Sequence, residues 1–278
     1  NSVDDETDGQ PGDEALDDDL AGDDEDGVAF PDYIGTVAQP TGVLFLGRNA
    51  ALTITGTKPI TDAGLLNAWI DWNGDGEWAT DEQIATDLAL DGVQTLNVAV
   101  PSDATLGTTY ARFRYGSESG IDATGTARDG EVEDYKVIIL SAPLKSIAST
   151  SASHTNGADL TIGEVVRYRL QAALPEGTLP NFRLTDALPT GLQFSNTVTV
   201  SIISGSSVIS TGLTVTGAPF GDGVDPVFEF GTITNNDFDS DEELLIVEFD
   251  AVVLNVLGNQ AGGTRDNTFT VSFDTVTE

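Results

Sequence analysis

The sequence predicts an all-β protein of two β-sandwich domains in tandem, Ig-like or jelly-roll-like, behind an acidic N-terminal arm. Three observations predict it. Apolar residues recur at every second position in many short runs, turn-forming Gly, Asn, Asp and Thr separate those runs, and a Pro-containing break divides the chain near residue 142. In residues 164–172, Val166, Tyr168, Leu170 and Ala172 face one way while Arg167, Arg169 and Gln171 face the other. Near the C-terminus, Phe269, Val271 and Phe273 alternate with Thr268, Thr270 and Ser272. Further strand-like runs lie at 51–55, 66–72, 95–100, 109–115, 134–140, 181–186, 197–203, 227–233 and 244–253. Only residues 81–90 read as a short helix. Ser141-Ala142-Pro143 ends one strand and blocks its continuation, so the expected domains are 28–141 and 142–278. Residues 1–27 hold 13 acidic residues and no basic one. They are expected to pack onto the first domain as an arm that orders when cations neutralise it.

Composition removes most chemistries. The chain has 278 residues, 46 Asp+Glu against 11 Lys+Arg, and a net charge of −35. Such a field repels phosphate backbones and anionic lipid, so nucleic acid is excluded as a partner and cations are invited. No apolar run reaches the ~18 residues of a membrane span. Cysteine is absent and His154, in a polar stretch, is the single histidine. Thiolate sites, multi-histidine zinc sites and a Ser-His-Asp triad therefore lack raw material, and no enzyme is expected.

The sharpest motif runs from Asp71 to Glu82 and matches D-x-[DN]-x-[DN]-G-x5-E at all twelve positions. Calcium takes six to eight hard oxygens on a flexible loop. Asp71, Asn73 and Asp75 would supply side-chain oxygens, Glu77 its carbonyl, and Glu82 a closing carboxylate, while Gly76 permits the turn. The preceding segment reads as a strand, where an EF-hand has a helix. Trp69, Trp72 and Trp78 lie in or beside this loop. They either pack it against the core or form a platform for a sugar ring.

A second cluster, Asp129-Gly130-Glu131-Val132-Glu133-Asp134-Tyr135, sets Glu133 on the face of Tyr135, Val137 and Ile139. An inward carboxylate needs a partner. Arg112 and Arg114 are one candidate and a cation is the other, with Asp24, Asp26, Glu131 and Asp134 as further ligands. A weaker acidic run in the second domain offers Asp237, Asp239 and Asp241.

The strings GEVEDY at 130–135, AWIDWNGDGEW at 68–78, VPSDATLGTTYARFRYG at 100–116, DDEDGV at 23–28 and DGQP at 8–11 together resemble the GEVED domain of large secreted bacterial surface proteins. That resemblance covers most of residues 1–140 and implies an extracellular β-sandwich module. Residues 144–278 are similar to Ig-like conserved-repeat domains through IGEVVRYRLQAALPEGT, LTDALPTGLQF, FEFGTITNN and DNTFTVSF. Glu164 stands where their consensus has Asp, and Phe269 replaces a small residue. Such domains occur in adhesins, stalks and fimbria-like proteins, some with internal Lys–Asn isopeptide bonds. Lys145 is the only lysine in residues 141–278, and it falls where the first strand begins. Asn267 opens the last strand, expected beside the first, and Asp186 stands where similar isopeptide-forming domains place their assisting acid.

The expected function is a secreted, calcium-stabilised structural module pair of a bacterial cell-surface adhesin, stalk or filament. Its partners would be neighbouring domains or subunits. The alternative is a carbohydrate-binding module that holds glycans on Trp69, Trp72 and Trp78.

Overall fold

Strands form where the two-residue period runs, and glycine or proline stops them. The computed structural model describes residues 27–31, 38–39, 42–56, 64–155, 157–203, 208–209, 212–236 and 242–273. They belong to two units, Asn1–Leu140 and Ser141–Glu278. The acidic arm, residues 1–26, lies outside the described residues.

The first unit runs β1 (Val28–Pro31), β2 (Ala38–Gln39), β3 (Gly42–Phe45), β4 (Asn49–Gly56) and β5 (Gly64–Ile70). It continues through β6 (Gln83–Leu90), β7 (Gly92–Ala99), β8 (Gly107–Gly116) and β9 (Glu131–Leu140). These make a four-stranded sheet, β2-β1-β4-β7, and a five-stranded sheet, β3-β9-β8-β5-β6. Alternate residues of both sheets meet in one apolar core, including Phe30, Leu52, Ile54, Leu66, Ile70, Val137 and Ile139. Phe30 of one sheet meets Phe113 and Tyr135 of the other edge-on, at 6.2 and 5.5 Å between ring centroids. The helix expected over 81–90 is absent. A single 3-10 turn, Thr80–Glu82, leads into β6, because Leu66↔Leu88 and Ala68↔Ala85 pairing with β5 overrides the helix propensity of that stretch.

The outer face of the five-stranded sheet is also buried. Arg112 and Arg114 alternate with Phe113, so they point away from the apolar core, yet each is 1% exposed. The β8–β9 connection folds over them. Arg112 grips Asp134, its cross-strand partner, through Nε (2.8 Å) and Nη2 (2.6 Å), and donates Nη1 to the Ala123 carbonyl. Arg114 donates to the carbonyls of Asp122 and Gly125, both at 2.6 Å. Trp78 covers the Arg112 guanidinium at 5.4 Å.

The second unit runs β10 (Leu144–Thr150), β11 (Val165–Leu174), β12 (Gly177–Ala187), β13 (Leu192–Ile203) and β14 (Val208–Ile209). It ends with β15 (Thr214–Thr216), β16 (Val227–Asn235), β17 (Glu243–Val253) and β18 (Thr268–Ser272). One sheet has the order β10-β11-β17-β13, and the other β14-β16-β12-β18, with β15 also on β16. Phe194 and Phe249 from the first meet Phe228 from the second at 6.1 and 5.3 Å. Glu164, buried before β11, accepts the amides of Ala152 and Thr161 and the Thr155 hydroxyl, which ties down the β10–β11 connection.

Asp134→Ala would strand a buried guanidinium, so it is expected to cost the first unit about 3–5 kcal/mol. Denaturant unfolding measures this. A loss below ~1 kcal/mol would mean that the three carbonyls hold the arginines unaided.

Candidate functional site

The Asp71–Glu82 loop caps itself. Asp71 is 1% and Glu82 3% exposed. Asp71 Oδ1 accepts the amides of Gly74 (2.7 Å) and Asp75, and its Oδ2 accepts that of Gly76 (3.1 Å). Asn73 Oδ1 takes the Asp75 amide, and Asp75 Oδ1 takes that of Glu77. Glu82 reaches back to the amides of Trp72, Asn73 and Ala79. Burial, opposed by these amides and reinforced by the Asp71 charge, raises the Glu82 carboxyl above the usual range. Among the described residues no three Asp, Glu or His side chains converge as a metal-holding group. The donor types suit calcium, but in this geometry they serve as amide caps.

The tryptophans do not form a platform. Trp69 and Trp72 are buried at 4% and 7% exposure, and the half-buried Trp78 lies over Arg112. His154 is exposed.

The GEVEDY segment resolves residue by residue. Gly130, at φ +121°, lies so close to β8 that a Cβ would sit 2.0 Å from the Tyr115 carbonyl oxygen. Glu131 is exposed. Glu133 does not meet the arginines, which occupy the opposite face of the sheet. It accepts the Tyr135 hydroxyl at 2.6 Å, and that hydroxyl in turn accepts the Val28 amide. Asp134 is the residue that pairs with Arg112. Asp24, Asp26, Asp237, Asp239 and Asp241 lie outside the described residues.

In the second unit, Lys145, Asp186 and the Asn267 carboxamide come together. Their strands do not pair as expected: β10 bonds β11, and β18 bonds β12, so Lys145 and Asn267 approach from opposite sheets. Lys145 Nζ is ion-paired to Asp186 Oδ2, with side chains 9% and 0% exposed. Below the amine lie the rings of Tyr168 (4.7 Å) and Phe249 (5.6 Å), a cross-strand pair of β11 and β17. Burial pulls the Lys145 amine down to about 8 against the pull of Asp186 and Asp225. Burial pushes the Asp186 carboxyl up to about 6 against Lys145, with Asp225 adding to the rise. Asn267 stands near enough to Asp186 and Tyr168 to favour both anions. Nevertheless its buried Nδ2 and Oδ1 have no partner in hydrogen-bond geometry, nor does Asp186 Oδ1. A buried carboxamide without hydrogen-bond partners thus stands near Asp186, the acid that is ion-paired to the Lys145 amine. Tyr168, Phe249 and Asp225 were not among the sequence candidates. Only the inward alternation of 164–172 pointed to Tyr168.

No helix of the described residues is long and apolar enough to cross a membrane. No curated protein matches the chain. Among solved structures it is similar to BcpA, the major pilin subunit of Bacillus cereus, at 14% identity over 81% of this chain and 64% of that one, TM-score 0.34. It is also similar to the RrgB pilus protein of Streptococcus pneumoniae, at 14% identity over 79% and 44%, TM-score 0.31. The Corynebacterium diphtheriae major pilin SpaA gives 16% identity over 77% and 58%, TM-score 0.29. The chain thus spans between 44% and 64% of these proteins' own lengths. The GEVED domain family matches residues 65–138, from β5 into β9, the span that carries the twelve-residue loop, the Arg112–Asp134 pair and the GEVEDY strand.

Proposed function

We propose that this chain is a load-bearing, non-enzymatic element of an extracellular bacterial surface protein, stalk or filament. Its second unit would be closed by a Lys145–Asn267 isopeptide bond. The observation that carries the reading is the buried Lys145–Asp186 pair beside the unpartnered Asn267 carboxamide. The neutral amine attacks Cγ of Asn267. The Nζ–Cγ bond forms, the Cγ–Nδ2 bond breaks, and one amine proton passes to Nδ2, which leaves as ammonia. Asp186, protonated, polarises the carboxamide and relays that proton.

Such a bond acts on force. Among the described residues, β10 and β18 are both edge strands, each paired on one side only. They are the first and last strands of the unit, where tension enters and leaves. A bond from residue 145 to residue 267 carries the load past everything between them. Closing a loop of that length also stabilises by about 4–5 kcal/mol, by analogy with disulfide loop closure.

The denatured chain is therefore expected one ammonia lighter than its sequence mass. Lys145→Ala, Asn267→Ala and Asp186→Ala should each restore the full mass. A wild-type chain at full mass ends the reading. The pH dependence follows from proton counting. The reactive pair, neutral amine with neutral acid, holds as many protons as the ion pair. Its fraction is level between the two pKa values and falls on either side. Chain recovered unfolded from inclusion bodies and refolded at fixed pH should cross-link fastest between pH about 6 and about 8. A rate that climbs steadily to pH 10 would remove Asp186 from the mechanism.

We also propose that calcium stabilises the first unit at Asp71, Asn73, Asp75, Glu77 and Glu82. The twelve-position pattern and the hard-oxygen donors support this. Mutation alone does not decide it, since Asp71→Ala uncaps three amides with or without an ion. Calcium titration does. Millimolar calcium should raise the melting temperature of the first unit, and chelation should reverse the rise. Identical melting curves in calcium and in chelator would reject the site.

A further inference from the structure

The loop from Asp71 to Glu82 contains one of the chain's two Asn-Gly pairs, Asn73-Gly74; Asn156 of the other lies outside the described residues. Asn-Gly is the pair most prone to spontaneous deamidation, because glycine has no side chain to shield its nitrogen or restrict its turn. The Gly74 nitrogen loses its proton and bonds to Asn73 Cγ, the Cγ–Nδ2 bond breaks, and Nδ2 takes up a proton and leaves as ammonia. Water then opens the ring at either carbonyl and leaves aspartate or isoaspartate at position 73. Burial does not prevent this, since Asn73 and Gly74 are both exposed, and a Cβ on Gly74 would meet nothing closer than 3.8 Å. Hydrogen bonds oppose it instead. The Gly74 amide donates to Asp71 Oδ1 at 2.7 Å, and the Thr105 hydroxyl donates to the Asn73 carbonyl at 2.8 Å. The peptide plane between the two residues is therefore pinned at both ends. The Asn73 carboxamide is held toward residue 75, where its Oδ1 accepts the Asp75 amide at 2.8 Å and its Nδ2 donates to Asp75 Oδ2 at 2.9 Å.

We propose that Asn73-Gly74 is a latent deamidation site and that Asp71, with Thr105, holds it shut. Ring closure needs the Gly74 nitrogen stripped of its proton and its face presented to Cγ. Asp71 opposes the first, because the nitrogen anion would form against a carboxylate that already accepts its proton. The pinned plane and the Asp75 contacts oppose the second. Asp71 is 1% exposed and accepts three amides, so the brake is a fixed part of the loop. Release would run one way. Conversion adds a carboxylate between Asp71 and Asp75, and the isoaspartate form lengthens the main chain by a carbon, which undoes the neighbouring caps. This role is independent of both readings above, and chelator throughout the test keeps calcium out of it.

The test incubates the full chain with chelator at pH 8, digests it under mildly acidic conditions, and reads aspartate and isoaspartate at position 73 by peptide mass spectrometry against time. Wild type is followed both folded and in urea. Asp71→Ala and Leu52→Ala are followed at a temperature where near-UV circular dichroism shows each of them folded. Folded wild type should convert at least about tenfold more slowly than the chain in urea, the scale of one hydrogen bond to a charged acceptor. Asp71→Ala should recover most of that difference. Leu52→Ala leaves a cavity in the core and weakens the first unit without removing a pin, so its rate should stay near wild type. A folded wild type that converts as fast as the chain in urea overturns the proposal, and so does an Asp71→Ala rate equal to wild type. Equal acceleration in Asp71→Ala and Leu52→Ala overturns it too, since opening of the unit would then set the rate. If Asp71→Ala does not fold, Thr105→Val removes the other pin at an exposed position. A severalfold faster conversion then supports the brake, and an unchanged rate rejects it.

Discussion

Both units bury cationic side chains, two arginines in the first and Lys145 in the second, and the chemistry of the cation decides how its charge is held. Removing a charge from water costs several kcal/mol unless a partner and hydrogen bonds replace the hydration. Arginine cannot shed its proton, so a buried guanidinium must be surrounded by acceptors. The first unit does this with Asp134 and the carbonyls of Asp122, Ala123 and Gly125. Lysine can shed its proton. The second unit gives Lys145 one carboxylate and two aromatic rings, too little to hold the charge at full strength, and the amine drops toward neutrality. The same burial thus produces a fixed brace in one unit and, in the other, an amine drawn toward its neutral form.

Sheet parity governs which groups can be used. On β8, Phe113 and the two arginines point to opposite faces, and on β9 Tyr135 and Asp134 do the same. The apolar and ionic cores are therefore two sides of one sheet. Opposing Arg112 to Asp134 commits Glu133 to the other side, where it accepts the Tyr135 hydroxyl, which in turn accepts the Val28 amide. A shift of one residue in this pairing would exchange every one of these partners.

That parity also explains what the sequence revealed. The inward set Val166, Tyr168, Leu170 and Ala172 was legible as alternation, and those side chains are buried. The GEVEDY string was legible as a motif, but the arginine partner was not, because it depends on register between strands about 20 residues apart. Helix-like composition over 81–90 misled, since the deciding contacts come from β5. The tryptophans read either as packing for the loop or as a sugar platform; Trp69 and Trp72 are buried, and the charge that Trp78 covers, Arg112, comes from another strand. Lys145 stood out as a solitary lysine, whereas its aromatic seat is built from β11 and β17, joined by pairing and distant in sequence.

The placement of the cations bears on the acidity as well. Arg112, Arg114 and Lys145 are withdrawn into the units, and Arg167 with Arg169 is bound to Glu248 and Asp250. These are five of only 11 basic residues, so the net charge of −35 is left mainly to the surface. Four of the buried acids already have partners: Asp71, Glu82 and Glu164 in amides, Asp134 in arginine. The excess charge carried by exposed carboxylates is a problem of solvent and neighbours. Repulsion between exposed carboxylates extends about 10 Å at 0.1 M salt and contracts as salt rises. Modules of this charge approach one another readily only where cations screen or bridge them. In the stalk proposed above, that would make ionic conditions a determinant of spacing between modules.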